Sequence, residues 1–441
     1  QAQWSIGAYG NKDSRTPSMN RIAAEGALFV NSFVNTPVCS PSRASFLTGR
    51  NGTDFGITDW ITMNESSFGV GLPKGTPTWP ALLQANGYAT ALIGKWHLGN
   101  LPEHQPTEHG YEHFYGMPDA GTSPMDPKIQ INGKFERVKG PAPDILTNEA
   151  MRWIEEHKEK PFALSLHLRE LHLAWLPLPE EDTAPFMYLD PQMPQLKFLD
   201  QSWMRNRYRN YYGSIHAADR NVGRLLAKLD ELKLTDNTIV LFTSDNGFSV
   251  GQHGILGKGN GEWVAGGVHG PKRPNMWEES IRVPLLIRWP GVVKPGTRIE
   301  QMVSNVDMFA SIAGMLGVSL PDDAKHDGRD FSPLMRGEAN VPWRSEIFGQ
   351  YDLHNAGLAF MRMVRTDDWK LLRFHMQFGD NAHYNLKDDP GETKNLYYDP
   401  QAREARDALQ AKLTAWQQSI DDPLLTLDAD RPIEPGPGVG E

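Results

Sequence analysis

The one cysteine of the chain, Cys39, sits in the string Val38-Cys39-Ser40-Pro41-Ser42-Arg43-Ala44-Ser45-Phe46-Leu47-Thr48-Gly49-Arg50. Pro41 and Ser42 stand where a helix should begin and Gly49 where it should end, which puts the thiol just before a helix N-terminus. Unpaired N–H groups and the macrodipole at such an end stabilise an anion or a polarised oxygen. Arg43, one turn along, can hold that group in place. On local spacing alone, Cys39 reads equally well as a small buried hydrophobe beside a capped helix. Two further polar clusters, Gly94-Lys95-Trp96-His97 and Ser244-Asp245-Asn246-Gly247, each follow a short apolar run. The second would by itself be a turn after a strand, but its place at a strand's C-terminal end, among the other clusters, favours a metal site.

Elements that can carry these clusters alternate along the chain as an α/β sheet requires. Helices are predicted from Thr16-Pro17 to Leu28, from Thr78 to Asn86, from about Thr147 to Lys158, from about Arg205 to Leu232 and from Asp307 to Leu316. Strands are predicted at Phe29 to Phe33, Tyr88 to Ile93, Phe162 to Leu168, Thr238 to Thr243 and Val283 to Trp289. Three strands thus end in polar residues, at Lys95 and His97, at His172, and at Asp245 and Asn246. Open α/β sheets bind ligands beyond those strand ends. The glycine-rich stretch between Gly247 and Lys272 is predicted to be a loop over the site. After about Gly337 the pattern changes to short strands and a helix from about Gln401 to Ser419, which gives two domains, 1–337 and 338–441, the second a small antiparallel sheet with a helix. The tail Arg431 to Glu441, rich in Pro and Gly, is predicted to be poorly ordered.

Composition narrows the function. With 44 Lys and Arg against 54 Asp and Glu, the net charge is -10, and the basic stripe of a nucleic-acid binder is missing. If the ligand is an anion, its positive charge must be gathered locally in a cleft. No run approaches the roughly 18 apolar residues of a membrane-spanning helix. Trp60, Trp175 and Trp263, in loop-like segments, are candidates for sugar-stacking walls.

Cys39, Pro41, Arg43, Thr48 and Gly49 fill every defined position of the sulfatase signature, C-x-P-x-R followed by Thr-Gly, and the chain resembles a type I sulfatase of the alkaline-phosphatase superfamily. Gly94-Lys95-Trp96-His97-Leu98-Gly99 resembles the family's second motif, and Ser244-Asp245-Asn246-Gly247 its metal-binding one. Trp277 to Pro284 and Tyr384 to Leu396 are similar to two later signatures, so the resemblance runs in order over nearly the whole chain. It implies a large mixed, mostly parallel sheet sandwiched by helices, and hydrolysis of a sulfate ester on a small molecule or, more specifically, a sulfated carbohydrate. It also implies that a separate formylglycine-generating enzyme converts Cys39 to formylglycine, whose hydrate is the nucleophile. Carried over residue by residue, Arg43 holds modified Cys39; Asp245, Asn246 and residue 39 ligate Ca2+; Lys95 and His97 bind sulfate and support the aldehyde hydrate. His172 fits the leaving-group acid better than His167. For the sulfate-binding lysine, Lys272 is chosen over Lys258, which lies in a competing His-Gly-x-x-x-Lys pattern. His167, His253 and His269 stay unassigned. A phosphate- or phosphonate-ester hydrolase of the same superfamily, or a catalytically silent binding protein, are the alternatives. Export to the periplasm or outside the cell is suggested by the resemblance.

One departure matters. The family opens with an apolar strand ending in two consecutive aspartates, both calcium ligands, and Gln1-Ala2-Gln3-Trp4-Ser5-Ile6 resembles the segment immediately C-terminal to that pair. Calcium takes about 6–8 oxygens, so this sequence taken by itself predicts an under-coordinated ion, two facing unpaired strand edges and little activity.

Overall fold

In a computed structural model, residues 1–131, 133–321, 324–375 and 381–428 are described; the Pro/Gly-rich tail lies outside them. Two mixed sheets form the α/β core. One has the order Thr297–Ile299, Ala27–Phe29, Leu285–Arg288, Val240–Thr243; the other runs Lys134–Arg137, Lys128–Ile131, His113–Met117, Ala89–Lys95, Phe162–His167. In the second, Ala89–Lys95 pairs in parallel with both His113–Met117 and Phe162–His167. Parallel neighbours need crossover connections, and the helix Ala142–His157 supplies one, packing Leu146, Ala150, Trp153 and Ile154 on Ile93 and Ala91.

The long helix Gln201–Glu231 begins with Asp200 accepting from the Ser202 and Trp203 amides, an N-cap that satisfies two otherwise orphaned donors. It sets Leu226 and Ala218 against the helix Pro17–Glu25 and Tyr208, Tyr211 and Ile215 against Trp175 and Phe248.

The two sheets do not join. Among the described residues Phe162–His167 ends one and Val240–Thr243 ends the other. Between these edges lies a cavity of about 1260 Å3, lined by Ala163 to Leu168 on one side and Val240 to Thr243 on the other, and continuous with the residues around Cys39.

The stretch expected to be a loop over the site is instead an antiparallel sheet of four short strands, Ser249–Val250, Ile255–Gly257, Glu262–Ala265 and Val268–Lys272. Its glycines serve tight turns: Gly266 and Gly267 both have positive φ, a conformation that glycine adopts without cost from a Cβ. Toward the C-terminus, Glu346–Leu353, Ala359–Thr366, Trp369–His375 and Ala382–Asn385 form an antiparallel meander covered by the helix Arg403–Ser419 through Leu409 and Leu413. Its other face packs Tyr351, Met361, Met363 and Leu372 against Phe33, Val38 and Met276. Among the described residues no helix is long and apolar enough to cross a membrane.

Candidate active site

Cys39 is the first residue of the helix Cys39–Thr48 rather than the residue before it. Pro41 is tolerated at the third position because its missing N–H has no intrahelical partner there. Val38 provides no side-chain cap, and Gly49 closes the helix in the left-handed conformation, φ 70°. The first-turn amides therefore have no side-chain cap, and the dipole at this end of the helix favours an anion beside it.

Cations surround that end. Lys258 Nζ lies 2.6 Å from Cys39 Sγ. Burial alone would push the thiol up, yet Lys258 and Lys95 bring it down to about 6. Lys95 is itself lowered to about 8, by burial first and by the like charge of Arg43. Arg43 donates from Nε to Asp245 Oδ2 at 2.9 Å and from a terminal nitrogen to the Lys95 carbonyl at 2.8 Å. Against the cost of burial, Arg43, Lys95 and Lys258 hold Asp245 well below the usual carboxylate range.

Two close approaches bring these groups together. Gly94 has φ 117°, and a Cβ there would lie 2.0 Å from the His167 carbonyl oxygen, so glycine lets Lys95 and His167 meet at adjacent strand ends. His167 Nδ1 then sits 3.0 Å from the Lys95 carbonyl and 3.1 Å from Arg43. A Cβ on Gly247 would lie 1.9 Å from the Glu279 carbonyl, which seats the Asp245-Asn246 turn on the segment below it. Asn246 donates to the Gly247 carbonyl at 2.8 Å, and its Oδ1 is buried without a partner among the described residues. A bare amide oxygen beside an ionised carboxylate is a donor set for a hard cation.

His97 is fully buried in a left-handed conformation, φ 65°, and its Nε2 lies 2.9 Å from the Ile61 carbonyl. Burial, then the charge of Lys95, holds it well below an ordinary imidazole pKa. His172 lines the same cavity and is lowered to about 3 by burial, Lys258 and Lys95.

The structure thus gathers Cys39, Arg43, Lys95, His97, His172, Asp245 and Asn246. Lys272 lines the same cavity, but its ammonium is held 2.8 Å from Glu262, and it is Lys258 that stands at the sulfur. The physical reason is the hairpin sheet, which returns Lys258 over Cys39 and turns Lys272 onto the facing strand. His167, left unassigned from sequence, buttresses Arg43. His253 and His269 pair with Glu279 and Glu262. Trp175 is core, against Tyr211 and Phe248, and Trp263 stacks on Phe198; Trp60 lines the cavity with Cys39 and His97.

Residues 1–318 match the family model described as Sulfatase. The chain belongs to the sulfatase family. Residues 268–419 of this sulfatase also match the model for the C-terminal part of N-sulphoglucosamine sulphohydrolase. It is 28% identical to an N-acetylglucosamine-6-O-sulfatase of Bacteroides thetaiotaomicron, over 89% of this chain and 80% of that protein. It is 31% identical to the steryl-sulfatase of Mus musculus, over 93% and 79%. A structure solved in complex with its substrate, D-glucosamine-2-N,6-O-disulfate, superposes with a TM-score of 0.83 at 26% identity and covers 98% of both chains. The expected fold class and enzyme class are those of these relatives: an α/β hydrolase of sulfuric esters.

Proposed function

We propose that this sulfatase removes sulfate from a sulfated carbohydrate, with residue 39, converted to formylglycine by a separate maturing enzyme, as the nucleophile. The carrying observation is the Lys258 ammonium 2.6 Å from Cys39 Sγ at an uncapped helix N-terminus; that sulfur stands in for the reacting oxygen of the mature group. Hydrated formylglycine supplies one hydroxyl to attack sulfur and a second whose deprotonation releases sulfate, which a plain serine or cysteine lacks.

The chain's own residues then have distinct tasks. Lys95 and Lys258 neutralise the sulfate oxygens, on which charge builds in the transition state. Arg43, braced by Asp245 and His167, fixes the nucleophile against the strand ends. His97, neutral, offers a ring nitrogen to a hydroxyl. His172 gives its proton to the leaving sugar oxygen once a bound anion has raised its affinity for protons. Asp245 and Asn246 Oδ1, with residue 39, would hold Ca2+, which lowers a bound hydroxyl's pKa and screens sulfate. Trp60 is the wall available for a sugar ring. The boundary near 337 separates the part that holds these groups from the part that braces them, and the protein works in the periplasm or outside the cell, where such glycans are met.

Two measurements test this reading. The mass of the peptide containing Cys39, from protein made in its native host, should show the aldehyde; an unmodified thiol removes the mechanism. A chromogenic sulfate ester should be turned over in preference to its phosphate analogue, and the reverse preference would make the protein a phosphate- or phosphonate-ester hydrolase.

A further inference from the structure

The turn just after Asp59 touches the active site at one end and the C-terminal meander at the other. Asp59 is buried and has no cationic partner among the described residues; its carboxylate accepts from the Tyr351 hydroxyl, from the His354 and Asn355 amides, each at 3.0 Å, and from the Trp60 amide at 2.9 Å. The Asn355 side chain donates to the Trp60 carbonyl at 2.9 Å. The next peptide faces the other way. Ile61 N–H donates to Ser40 Oγ, beside Cys39, at 3.0 Å, and the Ile61 carbonyl takes the Nε2 hydrogen of His97 at 2.9 Å. A carbonyl only accepts, so a neutral His97 carries its proton on Nε2 and leaves Nδ1 bare. That nitrogen is buried and has no partner among the described residues.

We propose that Asp59 is a positioning residue for catalysis: it clamps the Trp60-Ile61 turn to the C-terminal meander so that the Ile61 carbonyl fixes His97 as the Nε2–H tautomer and keeps Nδ1 free to accept from the reacting group. The inference rests on the role given to His97 above. It makes residues 351–355 part of the catalytic apparatus although none of them lines the cavity around Cys39. A packing role alone would be met by an apolar side chain. A buried carboxylate that collects donors from two segments instead sets the turn's angle, in the way outer partners orient the groups that do the chemistry.

The test uses the full chain labelled with 15N at histidine. The His97 resonances, assigned by their loss in His97→Gln, should show the pure Nε2–H tautomer. Asp59→Asn should give a mixed tautomer and ~10-fold lower kcat on a chromogenic sulfate ester, with little change in KM. An unchanged tautomer together with unchanged kcat, while His97→Gln abolishes turnover, would overturn the inference. Full turnover by His97→Gln would overturn the role of His97 and the inference with it. If Asp59→Asn does not fold, Tyr351→Phe, which removes a single donor, reads the same two quantities: a smaller change in the same direction supports the clamp, and no change in either rejects it.

Discussion

Two lysines separate what spacing can decide from what only the fold decides. Lys258 and Lys272 are 14 positions apart in a glycine-rich stretch, and nothing in linear order says which one returns to Cys39; the hairpin between them does. Lys258→Ala should lower kcat/KM on a sulfate ester by roughly 10²–10³, the usual loss for a group that faces developing charge. Lys272→Ala should leave it nearly unchanged, since that ammonium serves Glu262. Steady-state kinetics on the pair checks this, and equal losses would refute the assignment. Motif residues fare differently: Cys39, Arg43, Lys95, His97, Asp245 and Asn246 were legible through the family motifs they fill, each of which is one turn at one strand or helix end and so is unbroken in the linear sequence. His172 makes a pH prediction. Burial, Lys258 and Lys95 hold its free pKa down to about 3, and a sulfate anion beside it favours the protonated ring, so binding takes up a proton. Inhibition by inorganic sulfate should therefore weaken as pH rises, and His172→Gln should flatten that dependence; a profile identical to wild type would exclude the acid role.

Elements were legible where apolar periodicity is long. The predicted helix from about Arg205 to Leu232 is observed at Gln201–Glu231, and the strand expected at Thr238 to Thr243 is observed at Val240–Thr243. The strand Ala382–Asn385 is too short, at four residues, to carry a periodic signal of its own; its partner Trp369–His375 fixes it. The hairpin sheet over the site was hidden by its glycines, which signal loop to any local reading.

For the whole molecule, a net charge of -10 coexists with an anion site because the cations are gathered there. The network that joins the catalytic part to the C-terminal meander centres on Lys370. Its ammonium is buried 2.8 Å from both Glu278 and Glu392 and 3.1 Å from the Met276 carbonyl. Burial pushes Glu392 up to about 7, with Glu278 adding to it; the opposing charges of Lys370 and Arg365 overcome the same burial at Glu278 and bring it down to about 2. Lys370→Met keeps most of the stem's packing and strips the charge, which leaves two carboxyls facing each other without their shared cation. Breaking a buried pair in this way costs about 3–5 kcal/mol, and here the cost depends on pH. Without the ammonium Glu392, already raised and now without its opposing charge, holds its proton far more tightly than a glutamate of the unfolded chain, which titrates near pH ~4.3, while Glu278 keeps Arg365 and Arg282 beside it. The folded state then binds more protons than the unfolded one, so stability falls as pH rises above that value. Denaturant midpoints of wild type and Lys370→Met at mildly acidic and mildly alkaline pH should therefore diverge, with the smaller gap on the acid side. A gap that is the same at both would show that the variant loses packing rather than charge compensation. Because Glu278 starts the segment on which the Asp245-Asn246 turn is seated through Gly247 and Glu279, the alkaline loss should also appear as lower turnover of a sulfate ester before the chain unfolds.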